Sequence, residues 1–294
     1  MKKLILIAAL CICGAATAAK PAAHRVVSCN IRVALDADEQ KGVGWSVRKK
    51  ICVEVMKHQR ADIFCLQEVF APQNEDIRKA FPGYIALGYD GPEMDAATGT
   101  AYFGIAKNMV LFSKKRYELL AAGTYWLSET PLIGGSMSWE TARARHFNWV
   151  RLRDRRTGKE FRVASIHLDH ISQQARTAQI EAFIAEAAQY PAGFPQILAG
   201  DFNSKPGNPV MEALEKAGWH DAWPEANGAD AVREPSFHGF KGEMYKAKGK
   251  PGPIDFIFLK GAGIKAVESH LVKDSVKGIL PSDHYFLSAD IVIE

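Results

Sequence analysis

The chain has 294 residues, a mean hydropathy of -0.13, 47% hydrophobic and 24% charged residues. That composition excludes a collagen-like chain, a disordered tail protein and a polytopic membrane protein, and the 14 Pro and 24 Gly are spread without a low-complexity linker. The formal charge of +4 falls to +2 once Lys2 and Lys3 are set aside, too little for a broad electrostatic stripe along duplex nucleic acid.

Lys2-Lys3, the apolar run Leu4 to Cys13 and the small residues Ala15 to Ala19 have the pattern of a secretory signal peptide. Residues 1–19 are therefore expected to be removed, and residues 20–294 exported to the periplasm or the medium. The run is too short for a stable membrane span; a short buried helix is the plainer structural alternative. Neither Cys11 nor Cys13 is preceded by the small residue of a lipoprotein site. Three cysteines remain, Cys29, Cys52 and Cys65, an odd number that makes no disulfide framework. Cys29 and Cys65 lie in apolar runs, where a buried inert thiol is the plainer state, with a Cys29–Cys65 bridge left open.

Arg25 to Val33 and Ile63 to Val69 read as strands, with a helix between them over Ser46 to Gln59 (Val47, Ile51, Val55 and Met56 on one face). A short helix over Asn74 to Ala80 stops at Phe81-Pro82-Gly83. Strands follow at Asn108 to Phe112, Tyr117 to Leu127 and His146 to Leu152, and the turn Arg155 to Lys159 leads into Phe161 to Leu168. Then come a helix over Ser172 to Tyr190, a strand Gln196 to Ala199, a helix Pro209 to Lys216, a strand Ile254 to Leu259 and closing strands to Ile293. Helices alternate with strands at both ends and hairpins fill the middle, so a mixed α/β domain is expected, without a visible boundary or repeat.

Acids and amides collect at the ends of these strands: Asn30, Gln67-Glu68, Gly200-Asp201-Phe202-Asn203, Asp255 and Ser282-Asp283-His284. One carboxylate at a strand end is usually a solvated turn residue; five such ends together suggest hard oxygen ligands for Mg2+ or Mn2+. No Cys/His spacing supports zinc. In His167-Leu168-Asp169-His170, a continuing strand would put His167 and Asp169 on one face and His170 on the other. A zinc pair from this motif has poor geometry, and one solvent-facing histidine at the sheet edge, available to a phosphate, is the better functional reading.

Taken in order, Asn30, Gln67-Glu68, His167-Leu168-Asp169, Gly200-Asp201-Phe202-Asn203, Ile254-Asp255 and Ser282-Asp283-His284 resemble the endonuclease/exonuclease/phosphatase superfamily across essentially all of residues 20–294. The middle is similar to a bacterial secreted subgroup, in Trp126 to Pro131, Trp139 with Arg145, and Ser236-Phe237-His238-Gly239-Phe240. The resemblance implies a deoxyribonuclease I-like fold: one α/β (α+β) domain, a four-layer sandwich of two packed mixed β-sheets flanked by helices. It also implies metal-assisted hydrolysis of a phosphate ester by direct attack of water.

In that scheme Glu68 ligates Mg2+ or Mn2+, with Asn30 and Asp283 beside it. Asp201 orients or deprotonates the water, Asn203 holds the pentavalent centre, Asp255 orients His284, and His284 and His167 act on the phosphate. Arg145, His170, Arg176 and His238 are further substrate-binding candidates. Arg145 sits in a basic stretch, Arg143 to Arg162, where a solvated face is the plainer reading. Asn108 stands where a Glu-containing run is expected and receives no catalytic role. Lys241, Lys246, Lys248 and Lys250 form either a basic lip before Asp255 or a mobile solvated loop. Trp126, Trp139 and Trp149 read as core residues rather than base-stacking platforms.

The leading expectation is an exported, monomeric phosphodiesterase, a nuclease included, with nucleic acid, nucleotide and phospholipid all open as substrates. A hydrolase of phospholipids or small phosphorylated molecules is the alternative, since the fold does not choose among them. A non-catalytic binding protein on the same fold is the reading of another class; it predicts decay of the acidic and histidine set, which is intact here.

Overall fold

A computed structural model describes residues 23–95, 104–246 and 251–294; residues 1–19, Lys248 and Lys250 lie outside the described residues. The strands are β1 His24–Asn30, β2 Ile63–Val69, β3 Tyr84–Leu87, β4 Lys107–Ser113, β5 Tyr117–Trp126, β6 His146–Asp154, β7 Glu160–His167, β8 Gln196–Asp201, β9 His220–Asp221, β10 Asp255–Lys260, β11 Ile264–Val272 and β12 Phe286–Ile293. The helices are α1 Asp36–Glu39, α2 Trp45–Gln59, α3 Ala71–Ala80, α4 Gln173–Ala187, α5 Pro209–Lys216 and α6 Ala222–Asn227.

The strands form two six-stranded sheets, ordered β11-β12-β1-β2-β4-β3 and β5-β6-β7-β8-β10-β9. In each sheet the central pair (β1 with β2, β7 with β8) is parallel and the other pairings are antiparallel. A parallel pair needs a crossover rather than a hairpin, and α2 and α4 supply the two crossovers. The sheets thus repeat one pairing scheme that no sequence repeat displays.

The central strands are covered on both faces, so they read as nearly continuous apolar runs. Val26, Cys65 and Val110 of one sheet meet Val150, Val163 and Ile197 of the other between the sheets. Val27, Cys29 and Phe64 face outward onto Ile51, Cys52 and Val55 of α2. Ala164, Ile166 and Leu198 face outward onto Ile180 and Phe183 of α4. The layers are therefore helix, sheet, sheet, helix, as the resemblance implied. Burial on this scale, at roughly 25 cal/mol per Å² of apolar surface, is the main stabilising term.

Cys29 and Cys65 lie on opposite faces of their sheet and all three cysteines are free, which removes the Cys29–Cys65 bridge. Four short elements escape the sequence pattern: β3, β9, α1 and α6. α6 carries Pro224 in its first turn, where the missing N–H costs nothing, but a proline there reads as a breaker. Trp126 is buried and Trp149 packs beside the α4 cluster, whereas Trp139 is half-buried.

Gly200 shows why this sheet tolerates no side chain beside the candidate acid. A Cβ built there would stand 1.9 Å from the Ile166 carbonyl oxygen of the parallel neighbour β7. The obstacle is backbone, so the strands themselves must part. Gly200→Ala is expected to lose about 2 kcal/mol or more in denaturant unfolding, from overpacking; an unchanged midpoint would refute the close approach.

Candidate active site

The strand register assembles the site. The last residue of β7, His167, is paired with Asp201 at the end of β8, and Asp201 is paired with Asp255 at the start of antiparallel β10. In the other sheet Asn30 ends β1 opposite Gln67 of β2. Ligands in sheets with parallel strands gather beyond the strands' carboxyl ends, and both parallel pairs end at this one edge.

Glu68 reaches the site through an irregularity. The β2–β4 register slips between Leu66 and Val69, and Glu68 has φ of 62°. A non-glycine residue in this region costs on the order of 1–3 kcal/mol, and a bulge re-aims a side chain at a functional edge. Asn203 (φ 47°) and Arg32 (φ 59°) share the left-handed conformation. Three such residues around one cavity mark where the fold accepts strain.

Asn30 joins the two sheets. Its Nδ2 donates to Glu68 Oε1 at 3.1 Å and to Asp201 Oδ2 at 3.0 Å, while its Oδ1 accepts from the Arg32 N–H at 3.0 Å. The second Glu68 oxygen accepts from the Val33 N–H at 3.0 Å. Asp201 Oδ1 accepts from the Asn203 N–H at 2.9 Å. Asn203 Nδ2 donates to the Leu168 carbonyl and stands 3.1 Å from His167 Nε2.

The charges are unequal in a useful way. Burial pushes the Asp201 carboxyl up, Asp255 adds to it, and the group reaches about 7. Asp283 is raised too, by burial and by Glu68. Glu68 is held low, because the Val33 N–H, the His284 charge and the Asn30 amide together outweigh its burial. His284 Nδ1 stands 2.8 Å from Asp255 Oδ2. Burial opposes its charge, yet Asp255 and then Asp201 lift it to about 10. His167 goes the other way, held well below its usual range by burial and by Arg145.

Glu68, His167, Asp201, Asp283 and His284 line a cavity of about 370 Å³, together with Arg32, Arg143, Arg145, His170, Asn203 and Phe237, whereas Asn30 and Asp255 lie outside that lining. Arg145 is buried, against the solvated face expected for its stretch, and its Nη2 stands 3.2 Å from Nδ1 of the exposed His170. A guanidinium only donates, so Nδ1 accepts and the His170 proton sits on Nε2. Arg32 donates to Asp38 and stands 3.5 Å from Asp283.

Other expected residues lie elsewhere. β7 ends at His167, so Asp169 does not share its face. The Asp169 carboxylate instead accepts from the Ile171 and Ser172 N–H groups, the Ala142 N–H and the Thr141 hydroxyl. It thereby ties the segment carrying Arg143 and Arg145 to the start of α4. Arg176 bonds the Asp169 carbonyl and Gln173, outside the cavity lining. His238 also lies outside that lining, buried against Tyr285 at 4.2 Å, with its ring pushed down to about 4 by burial and the His284 charge. Asn108 is buried and donates to the His146 carbonyl across the sheets. Lys241 lines an adjoining cavity with Arg32 and Phe237, and Lys246 is exposed.

Arg32 and Arg143 were not foreseen. Arg32 lies two residues after Asn30, and Arg143 alternates with Arg145; neither spacing distinguishes a cavity arginine from a surface one.

Residues 27–284 match the Endonuclease/Exonuclease/phosphatase family. The chain belongs to that family, whose members hydrolyse phosphate esters. A family member from Bacteroides thetaiotaomicron is 25% identical, over 94% of this chain and 100% of that one, with a TM-score of 0.80. A mannosyl-6-phosphatase of the same organism is 25% identical, over 92% and 100%, with a TM-score of 0.79. The human Nocturnin catalytic domain, 20% identical over 93% and 94%, shares the fold with a TM-score of 0.71. Nocturnin of Drosophila melanogaster is 24% identical over 179 residues, and the chain spans 26% of the length of that curated relative.

The Asp255–His284 pair yields a direct test. A histidine raised from 6.5 to about 10 adds stability that is present below about pH 6.5 and lost as pH rises through about 10. NMR titration of the metal-free chain should find the His284 imidazole still protonated at pH 8, and Asp255→Asn should lower its pKa by at least one unit. An imidazole that titrates near 6.5 in both proteins would refute the pairing.

Proposed function

We propose that the chain is an exported, Mg2+- or Mn2+-dependent hydrolase of phosphoric esters that works by direct attack of water. The observation that carries this reading is one cavity lined by Glu68, Asp201, His284 and Arg145, with Asp255 bonded to His284 at 2.8 Å. Export rests on the signal-peptide pattern of residues 1–19 alone.

The residues present suit a hard divalent ion. Donor atoms of Glu68, His167 and Asp201 lie within 4.8 Å of one another, and the raised Asp201 and Asp283 mark an excess of buried negative charge that a cation would relieve. A second group, Asp201, Asp255 and His284, fits less well, because His284 is protonated and already bound to Asp255. Glu68 would hold the ion with Asp283 alongside, while Asn30, its oxygen taken by Arg32, clasps the carboxylates. When bound, such an ion polarises a phosphoryl oxygen and offsets charge on the leaving oxygen.

The chain's own groups would do the rest. Asp201 would take the proton of the attacking water as general base. Its orientation comes from the Asn30 amide and the Asn203 N–H. The charged His284 would donate to a non-bridging phosphate oxygen and stabilise the charge that accumulates there. Asn203 and His167, fixed side by side, would bind the pentavalent centre. Arg145 offers a buried cation to the phosphate with no carboxylate ion pair among the described residues.

A small phosphorylated molecule fits better than a polymer. The cavity is compact, the charge of residues 20–294 is near neutral, and the mannosyl-6-phosphatase is matched over nearly its whole length. A phosphodiester is the second reading, favoured by the adjoining cavity with Arg32, Lys41, Lys241 and Phe240, which could take a second substituent on phosphorus.

Mature protein incubated with p-nitrophenyl phosphate and bis-p-nitrophenyl phosphate separates these readings. Hydrolysis should need Mg2+ or Mn2+, stop with EDTA, and fall by roughly 10²–10⁴-fold in Asp201→Asn. Activity that survives both treatments would overturn the mechanism. Calorimetric titration that finds no Mg2+ or Mn2+ binding would favour a binding protein.

A further inference from the structure

Arg48, in the first turn of α2, is fully buried, yet no carboxylate among the described residues forms an ion pair with it. A buried charge without a counter-ion is costly and needs a specific reason. Its guanidinium is used instead on four backbone carbonyls. Nε donates to Val43 at 2.6 Å, Nη1 to Ile31 at 2.8 Å and to Pro281 at 2.9 Å, and Nη2 to Arg32 at 3.2 Å. Cζ lies 5.6 Å from the Trp45 ring centroid and 5.4 Å from that of Phe240, close enough for cation–π attraction to hold the fork in place.

Those carbonyls are not scattered. Ile31 and Arg32 follow Asn30 directly, and Pro281 precedes Ser282-Asp283-His284. β1 and β12 are neighbours in their sheet, but their register runs only as far as Ser28–Leu287. Beyond it the two segments carry Asn30 and Asp283 to the site. Each segment has local support: the Asp283 carbonyl accepts from the His238 and Gly239 N–H groups, and the Arg32 carbonyl from the Gln73 amide at 2.8 Å. A single nitrogen, Arg48 Nη1, bonds one segment to the other. The Arg32 guanidinium, 3.5 Å from Asp283, is a second link, but it is only half-buried. A rigid planar fork fixes direction as well as distance, which a lysine ammonium on a flexible stem does not.

We infer that Arg48 is a positioning residue of the phosphoesterase site: it sets the separation of the Asn30 and Asp283 segments, so that Asp283 and Glu68, clasped by Asn30, face one divalent ion. Being buried outside the cavity lining, it touches neither ion nor substrate. The inference rests on the proposed phosphoesterase function and adds the device that joins the two segments.

The test compares Arg48→Lys, which keeps the charge and loses the fork, and Arg48→Met, which loses both, with Arg162→Lys. Arg162 is also buried but pairs with Glu186 and Gln196, at the end of β7 remote from His167. All three variants should melt lower. In the metal-free chain, the NMR signals of the Asn30 side-chain amide should shift or broaden in the Arg48 variants and stay in place in Arg162→Lys. In folded protein well below its melting temperature, both Arg48 variants should bind Mn2+ at least fivefold more weakly. Their kcat for p-nitrophenyl phosphate at saturating Mn2+ should fall at least tenfold with KM within threefold, while Arg162→Lys stays within twofold of wild type throughout. Arg48 variants that melt lower but keep the Asn30 signals, Mn2+ affinity and kcat overturn the proposal, as do equal losses in Arg162→Lys. Should neither Arg48 variant fold, the wild-type chain decides. A fixed fork gives Arg48 separate Nη1 and Nη2 signals with slowly exchanging protons, and one averaged signal overturns the proposal. A wild-type chain that cleaves no ester with metal present overturns the phosphoesterase reading, while the Asn30 signals still judge Arg48.

Discussion

One side chain, Asn30, holds the carboxylate of one sheet to the carboxylate of the other, and the site's geometry depends on it. Glu68 and Asp201 carry like charge and are brought together from separate sheets, an arrangement that repels unless something between them donates to both. The two N–H bonds of a single amide do this at 3.1 and 3.0 Å. The amide cannot turn, because its oxygen is held by the Arg32 N–H. Arg32 itself takes a left-handed backbone (φ 59°), so the clasp sits where the fold accepts strain.

Two features of the sheets put the clasp where it is needed. The parallel pairs β1–β2 and β7–β8 end at the same edge, which brings four strand ends into one place. The edge is then stitched by buried polar contacts: Gln67 donates to Ser165, Ser165 to the Leu66 carbonyl, and Asn108 and Asn148 each to a carbonyl of the other sheet. Deeper between the sheets the contacts are apolar. The sandwich thus changes from greasy to hydrogen-bonded along its length. Hydrogen bonds between the sheets fix one arrangement, where apolar packing alone would allow small slides.

Much of this is legible in the sequence. Strands buried on both faces are continuous apolar runs, so β1, β2, β7 and β8 stand out, and a helix between the members of each pair fixes its parallel sense. The acids mark the ends of those runs, which is why Glu68, Asp201 and Asp255 could be named. What stayed hidden depends on tertiary direction. An arginine on a short loop looks the same whether it points at solvent or at phosphate, so the sequence does not single out Arg32 and Arg143, and it leaves Arg145 open between substrate binding and a solvated face. Asp169 departs from the expected face for a related reason: strand periodicity stops at His167, and the chain turns there toward the start of α4. His238 lies beside the Asp283–His284 segment in space and was named by its motif, but its ring turns away against Tyr285. The shared pairing order of the two sheets left no trace either, because hydrogen-bond topology constrains hydropathy and not residue identity.

The histidines show how one edge separates charge from neutrality. His284 faces Asp255 and Asp201 and is cationic; His167, His170 and His146 lie near Arg145 and are each pushed toward the neutral form, with burial the larger cause and the guanidinium adding to it. The same residue type therefore serves opposite needs within one groove. Where phosphate charge must be met, a carboxylate behind the imidazole keeps it protonated. Around the arginine, burial first and the guanidinium second hold the neighbouring imidazoles in the neutral form, as donors and acceptors. With those three neutral, His284 is the imidazole that carries charge at this edge, and on the proposed reading it is the one that would meet the phosphate, with the neutral rings leaving Arg145 as the cation on their side.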